Sequence, residues 1–209
     1  VLVCEDGSFF GEEYTIVSIV NYILSKYPES TVITNLSTTK AVKDVVSIHN
    51  GYLFTSAVGE INVVDLMKKK HARIGGEGSG GVIFPESHYG RDALVGIGLF
   101  LSHLSIIGKS VKELRATLPS YFMFKDQFQV PISFDFKQFL NRYINKYANK
   151  NIKFDLRDGL KIEYQCGSWL HIRKSNTEPI IRIITESSVE DRSLEIKNNF
   201  LNELNAQLN

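Results

Sequence analysis

Two short stretches hold the residues able to do chemistry. The first, GGEGSGGVIFPESHYGRD from Gly75 to Asp92, contains Gly76-Glu77-Gly78-Ser79-Gly80-Gly81, a literal G-x-G-x-x-G, with His88 and Arg91 close behind. Glu77 can accept hydrogen bonds from two neighbouring hydroxyls, and Ser79 can both donate and accept. That pair suits the vicinal diol of a sugar better than a phosphate, which Glu77 would repel. The glycines would permit positive φ and keep bulk away from a ligand. Spacing alone favours a plainer reading, a β-hairpin whose Glu77 is merely solvated. The second stretch, RKSNTEPIIR, sets Arg173, Ser175, Asn176 and Thr177 in one turn, with Arg182 on the segment after Pro179. A turn dense in Ser, Asn and Thr exposes successive backbone N–H groups, which can form an anion-binding nest. An arginine adds a fork matched to phosphate oxygens. An ordinary loop with a surface ion pair fits these residues equally well.

The glycine motif fails as a dinucleotide loop. Such a loop needs a helix immediately after it, so that the helix N-terminus faces the phosphates. Here Val82-Ile83-Phe84-Pro85 follows: two β-branched residues, then a proline that disfavours helix before it. No acidic residue stands about twenty positions on to read a ribose.

These residues sit in a chain of 209 residues, 43% hydrophobic and 22% charged, with a net charge of +1. That is enough for one large or two small cores, and it provides no broad field for nucleic acid or an acidic membrane. Any bound anion must be held by a local constellation. Cys4 and Cys166 lie far apart without metal-ligand spacing, as in a cytoplasmic protein with reduced, partly buried thiols. There is no membrane-length apolar run and no charged-then-apolar leader. The abrupt opening VLVCEDG reads as a strand entered halfway, as in a fragment of a longer polypeptide.

The elements that must position the two stretches follow from periodicity. VLVCEDG, STVITN, YLFTSAVG and ARIGGE read as strands, separated by helical patterns over EEYTIVSIVNYILSKY, TTKAVKDVVSIHNG and INVVDLMKKKH. This alternation predicts an open α/β sheet, with ligands at strand carboxyl ends. YGRDALVGIGLFLSHL and GKSVKELRATLP read as further helices; in the second, Ser110 and Glu113 have capping-box spacing and Pro119 makes the stop. The boundary falls near Leu118 to Lys125, giving domains 1–120 and 121–209. A mixed strand-like segment around Pro131 follows, then a helix over SFDFKQFLNRYINKYANK. NIKFDLRDGLKIEYQ turns at Asp158-Gly159, a strong hairpin signal. SWLHIRKS and PIIRIITES are strands, and SVEDRSLEIKNNFLNELNAQL is a terminal helix, so the second part is a small α+β domain.

Together, GGEGSGG and RKSNTEP resemble the sugar-binding G-E-x-S-G loop and the phosphate-binding R-x-S-[GN]-T-x-P loop of the α-D-phosphohexomutases, which include phosphoglucomutase, phosphomannomutase and phosphoglucosamine mutase. The resemblance covers essentially the whole chain, as the third and fourth of that family's four domains. It implies an open mixed α/β sheet domain followed by an antiparallel, TATA-binding-protein-like α+β domain. It also implies interconversion of hexose 1-phosphates and 6-phosphates through a phosphoserine and a bisphosphorylated intermediate. By resemblance, Glu77 and Ser79 bind sugar hydroxyls, while Arg173, Ser175, Asn176, Thr177 and Arg182 hold the phosphate that is not reacting.

Other family features are missing. The chain has Ser87-His88 and Ser102-His103 but no T-A-S-H-N-like nucleophile loop, and no D-x-D-x-D-R loop for Mg²⁺. In relatives VLVCEDG would follow that metal loop directly. The expectation is therefore that Mg²⁺ and the nucleophile belong to preceding domains 1 and 2, and that this part alone is inactive. Many relatives carry a histidine where Gly81 stands; His88, or a water held by Glu77, would substitute as proton acceptor. A free-standing sugar-phosphate-binding module is the alternative to an enzyme.

Overall fold

The computed structural model describes residues 2–147, 152–175 and 178–208, and divides into two compact units, Val1–Ser120 and Tyr121–Asn209. In the first unit, α1 (Tyr14–Lys26) leads to β1 (Thr31–Asn35), α2 (Ala41–Ile48), β2 (Tyr52–Ser56), α3 (Glu60–Lys70), β3 (Ile74–Glu77), β4 (Gly81–Ile83), α4 (Ala93–Ile107) and α5 (Val111–Thr117). The sheet order is β2-β1-β3-β4, with β1 parallel to β2 and β3, and β4 antiparallel to β3. The mixed open sheet expected from the sequence is thus present.

The periodic apolar residues of α1, among them Ile16, Ile19 and Leu24, are fully buried. Each such side chain contributes on the order of 2 kcal/mol. Glycines let the helices approach the sheet closely. A Cβ at Gly75 would stand 2.5 Å from Met67 Sδ of α3, and one at Gly76 would stand 2.9 Å from Ile16 Cδ1 of α1. Successive strand residues point to opposite faces, so α3 and α1 cover opposite sides of β3. Right-handed crossovers from β1 to β2 and back past β1 to β3 require this alternation.

One element differs from the sequence reading. Of the opening VLVCEDG, the described residues 2–7 join no sheet: Val3 bridges to Phe9, and the Cys4 and Phe10 N–H groups donate to Ser8 and Leu2 carbonyls. Gly7 takes φ +84°, and Asp6 Oδ1 accepts from the Ser8 N–H and hydroxyl. This local turn outcompetes sheet pairing, while β2 and β3 occupy both edges of β1. The glycine motif therefore follows the third strand of the sheet. The short β4 pairs back on β3, the hairpin that the spacing of the glycine motif favours.

Helix α4 begins at Asp92, whose side chain accepts from the Leu94 and Val95 N–H groups. It buries Phe100 against Phe10 and leaves Leu94, Ile97 and Leu101 exposed. His103 on this helix points inward, 2.9 Å from Ser18 Oγ and stacked on Tyr22, and burial pushes its pKa down. The Ser110–Glu113 capping box forms as the spacing predicts. Among the described residues no single helix is long and apolar enough to cross a membrane. Both cysteines are free thiols; Cys4 is buried, whereas Cys166 is exposed rather than partly buried, because it lies on a turn between strands.

The second unit runs β5 (Phe122–Gln129), α6 (Phe136–Tyr147), β6 (Ile152–Asp155), β7 (Leu160–Tyr164), β8 (Trp169–Lys174), β9 (Ile180–Ser187) and α7 (Glu190–Leu208). All pairings are antiparallel, in the order β5-β9-β8-β7-β6. Leu160, Ile162, Leu170, Ile172, Ile181 and Ile183 form one apolar face, closed by Phe139 and Tyr143 of α6 and Phe200 and Leu204 of α7. Gly159, at φ +72°, makes the predicted β6–β7 turn and lies against β8, where a Cβ would sit 2.9 Å from Arg173 Cα.

Candidate functional site

Glu77 ends β3, at the carboxyl edge of the parallel strands, where ligands of open α/β sheets bind. It is buried, not solvated. Its Oε1 accepts from Asn35 Nδ2 at 2.8 Å and from the Gly59 N–H at 3.1 Å. Asn35 ends β1 and is itself held by a turn, its Oδ1 accepting from the Ser37 N–H and the Thr38 hydroxyl. Gly59 is the N-cap residue of α3, so the helix dipole also favours a negative charge here. One carboxylate oxygen is thus committed to the scaffold. The other, Oε2, faces Arg91 Nη1 at 3.8 Å, beyond hydrogen-bond length.

Arg91 is fixed from its other side. Its N–H and Nε both donate to the Glu60 carboxylate at 2.8 Å, and these bonds hold Glu60 below the ordinary carboxylate range. Ser79 sits exposed at the hairpin tip between Gly78 and Gly80, and Gly80 takes the left-handed φ of +84° that closes this three-residue turn. Ser79 and Arg91 line a groove of about 530 Å³ that runs to Phe100 on α4. Glu77, its side chain 9% exposed, is not part of that lining.

The remaining glycines are not clearance for a ligand, as the sequence reading had it. A Cβ at Gly78 would lie 2.0 Å from the buried carboxylate of Glu13, which accepts from the Thr39 N–H at 2.9 Å. One at Gly76 would meet the Gly81 carbonyl oxygen, and one at Gly81 the Arg91 stem. Internal neighbours, not a ligand, exclude side chains there. His88 is turned toward Asp92, with Nε2 3.0 Å from Oδ2. The Val95 N–H and then this imidazole hold the Asp92 carboxyl low.

In the second unit, Arg173 of β8 and Arg182 of β9 are direct cross-strand partners. Like charges directly opposite destabilise a sheet unless an anion lies between them. Among the described residues, Arg182 meets a carboxylate only at a long 3.9 Å, that of Glu178, and none pairs with Arg173. The buried Ser175 donates its N–H to the Ile180 carbonyl, and Ile180 donates to Glu178. These two amides are spent on the hairpin, so the expected nest cannot use them. Asn176 and Thr177 lie outside the described residues. Behind Arg173 on the same strand, the buried His171 bonds the Asp158 carbonyl at 2.7 Å, and burial pushes its pKa down to about 4.

Residues 11–122 match the family described as phosphoglucomutase/phosphomannomutase, alpha/beta/alpha domain III, and residues 137–203 match its C-terminal domain. The chain belongs to the phosphoglucomutase/phosphomannomutase family. It is 30% identical over 195 residues to a phosphoglucomutase/phosphomannomutase of Thermococcus kodakarensis, covering 93% of this chain and 42% of that protein. It is 27% identical over 202 residues to a probable phosphoglucosamine mutase of Methanopyrus kandleri, covering 96% and 44%. Among solved structures, a phosphoglucomutase/phosphomannomutase family protein of Burkholderia thailandensis superposes with TM-score 0.78 at 22% identity, covering 98% of this chain and 43% of that one. An N-acetylphosphoglucosamine mutase of Aspergillus fumigatus, solved with GlcNAc-6P and magnesium, gives 0.67 at 11% identity, covering 96% and 48%. The chain thus spans less than half the length of these phosphohexomutases. Among its described residues no group of three or more His, Cys, Asp or Glu gathers to hold a metal ion.

Asn35, Gly59, Glu60 and Arg91 escaped the sequence reading as members of the Glu77 cluster. For Asn35 a signal existed: a polar residue at a strand end, followed by Ser37, Thr38 and Thr39. For the Glu60–Arg91 pair there was none, because only the fold brings them together.

Proposed function

We propose that the whole protein is a hexose-phosphate mutase that moves a phosphoryl group between the 1- and 6-oxygens of a hexose. Its phosphoserine and its Mg²⁺ ligands would lie outside this chain. In this reading residues 1–120 form the sugar-binding domain and residues 121–209 the phosphate-binding domain. Glu77 and Ser79 take sugar hydroxyls. Arg173, Ser175, Asn176, Thr177 and Arg182 hold the phosphate that is not reacting. The division is chemically sensible: contacts from this chain would position the hexose, and a metal held elsewhere in the whole protein would supply charge neutralisation at the reacting phosphoryl group.

The observation that carries the proposal is the half-committed Glu77 carboxylate, with Oε1 tied to Asn35 and Gly59 and Oε2 left over. A guanidinium cannot accept a proton at neutral pH. His88, or a water on Glu77, is therefore the proton acceptor in this reading, and unchanged turnover in His88→Ala would remove the histidine from it. The free thiols support a reducing, cytoplasmic setting.

The test is turnover of the complete gene product on glucose, mannose and glucosamine 1-phosphates, with Mg²⁺ and a trace of bisphosphate activator. Mutase activity that falls in both Glu77→Ala and Arg173→Ala supports the proposal. Hexose-phosphate binding without turnover would favour a sensing module instead. Relatives named for glucosamine phosphate match as well as those named for glucose and mannose phosphates, so all three substrates belong in the assay.

A further inference from the structure

Gly81 is the direct cross-strand partner of Glu77, so a side chain at 81 would stand beside the Glu77 carboxylate. That place is filled from another element. A Cβ at Gly81 would lie 2.4 Å from Arg91 Cδ, which means the arginine stem crosses where the side chain would be. Its guanidinium is pinned at Nε by Glu60, which leaves the terminal nitrogens directed elsewhere. Nη1 then stops 3.8 Å from Glu77 Oε2. That separation is too long for a direct hydrogen bond, yet one oxygen atom can sit within about 2.8 Å of both.

We propose that Arg91 and Glu77 form a clip for a single ligand hydroxyl, the guanidinium donating to its oxygen and Oε2 accepting its proton. This deepens the hexose-phosphate reading and rests on it. A hydroxyl satisfies both arms because it donates and accepts at once. An ammonium group cannot accept from Arg91 and is repelled by it, so the clip selects a hydroxyl over a charged amine at that carbon of the sugar. Arg91 is thereby a specificity-determining residue, and Gly81 is the residue that makes room for it.

The experiment is a titration of the 209-residue chain with glucose 6-phosphate and its 2-, 3- and 4-deoxy analogues, read by backbone amide NMR. Wild type, Arg91→Ala, Arg91→Lys and Arg173→Ala are compared. Arg91→Ala is expected to raise Kd on the order of tenfold, the scale of one hydrogen bond to a charged group. One deoxy analogue should lose a similar factor on wild type and nothing further on Arg91→Ala. Arg91→Lys, which keeps the stem and charge but loses the fork, should retain part of that coupling, and it serves as the test should the alanine variant unfold. Arg173→Ala should weaken all the ligands by one common factor. Unchanged affinity in Arg91→Ala, or additive losses for every analogue, overturns the clip while Arg173 dependence leaves the hexose-phosphate reading standing. Failure of wild type to bind any of these hexose phosphates overturns both.

Discussion

The two candidate regions are built on opposite principles. Around Glu77 the scaffold is wired: a buried carboxylate, a buried amide on Asn35, a helix N-cap and an arginine already seated on Glu60. Around Arg173 two arginines face each other across β8 and β9, and among the described residues their one carboxylate contact is a long one, from Arg182 to Glu178. A neutral, multivalent ligand such as a sugar needs donors and acceptors fixed in advance, since each hydroxyl bond is individually weak. A phosphate needs chiefly concentrated positive charge, which the protein tolerates at some cost until the anion arrives. Damage to the first region should therefore be seen in stability, and damage to the second in affinity.

The largest expected effect breaks the wired region. Gly78→Ala drives a methyl group into the buried Glu13 carboxylate, which can move away only by giving up its bond from the Thr39 N–H, and should destabilise the first unit by about 3 kcal/mol, overpacking and a lost buried bond together. Denaturant unfolding checks this, and a neutral result would mean that the close approach is not part of the folded state. Next comes acid. His171 is neutral in the folded protein until about pH 4, while its unfolded counterpart binds a proton from 6.5 downward. Protons therefore favour the unfolded chain between those values. Stability is full above pH 6.5 and falls by up to about 3 kcal/mol as pH drops toward 4. His171→Gln should flatten that dependence in amide exchange of the second unit.

Arg173→Ala sharpens the contrast. Phosphate-ester affinity should fall by on the order of 1.5–3 kcal/mol. Stability should hold or rise slightly, because a like-charge pair is relieved. Titration and thermal unfolding of the same sample separate the two effects. Asn35→Ala is the smallest and has the reverse pattern: a stability loss of about 1–2 kcal/mol from the lost bond to the buried Glu77 carboxylate and the acceptor taken from the Ser37 N–H and Thr38 hydroxyl, accompanied by weaker sugar binding. If Asn35→Ala and Arg173→Ala were to behave alike, the distinction between the regions would not hold.

Contiguous features were readable from the chain. Glu77 and Ser79, like Arg173 and Ser175, lie within a few residues of each other, so each pair stood out as a candidate in the chain, although spacing alone left a plain hairpin and an ordinary loop open and only the resemblance to two family loops gave them roles. The helical faces and the Asp158-Gly159 turn were legible for the same reason, being set by local periodicity and backbone preference. What surrounds Glu77 was not. Asn35, Gly59 and Arg91 reach it across β1, the start of α3 and the segment before α4, through strand register and helix placement. The glycines misled in an instructive way. Their number suggested a ligand, yet Met67, Ile16, Glu13 and Arg91 account for the space at Gly75, Gly76, Gly78 and Gly81. The opening VLVCEDG has strand propensity, but Asp6 and Gly7 turn it back before it can reach a sheet.

The central claim, that this chain binds a hexose through Glu77 and Ser79 and a phosphate through the Arg173 loop, is tested most directly by backbone amide NMR during titration with glucose 6-phosphate. The account predicts perturbed amides in Gly76–Gly81 and in the β8–β9 hairpin, with the hairpin response reproduced by inorganic phosphate alone and lost in Arg173→Ala. Perturbation confined to other surfaces, or saturation of the glycine hairpin by a dinucleotide, would contradict it.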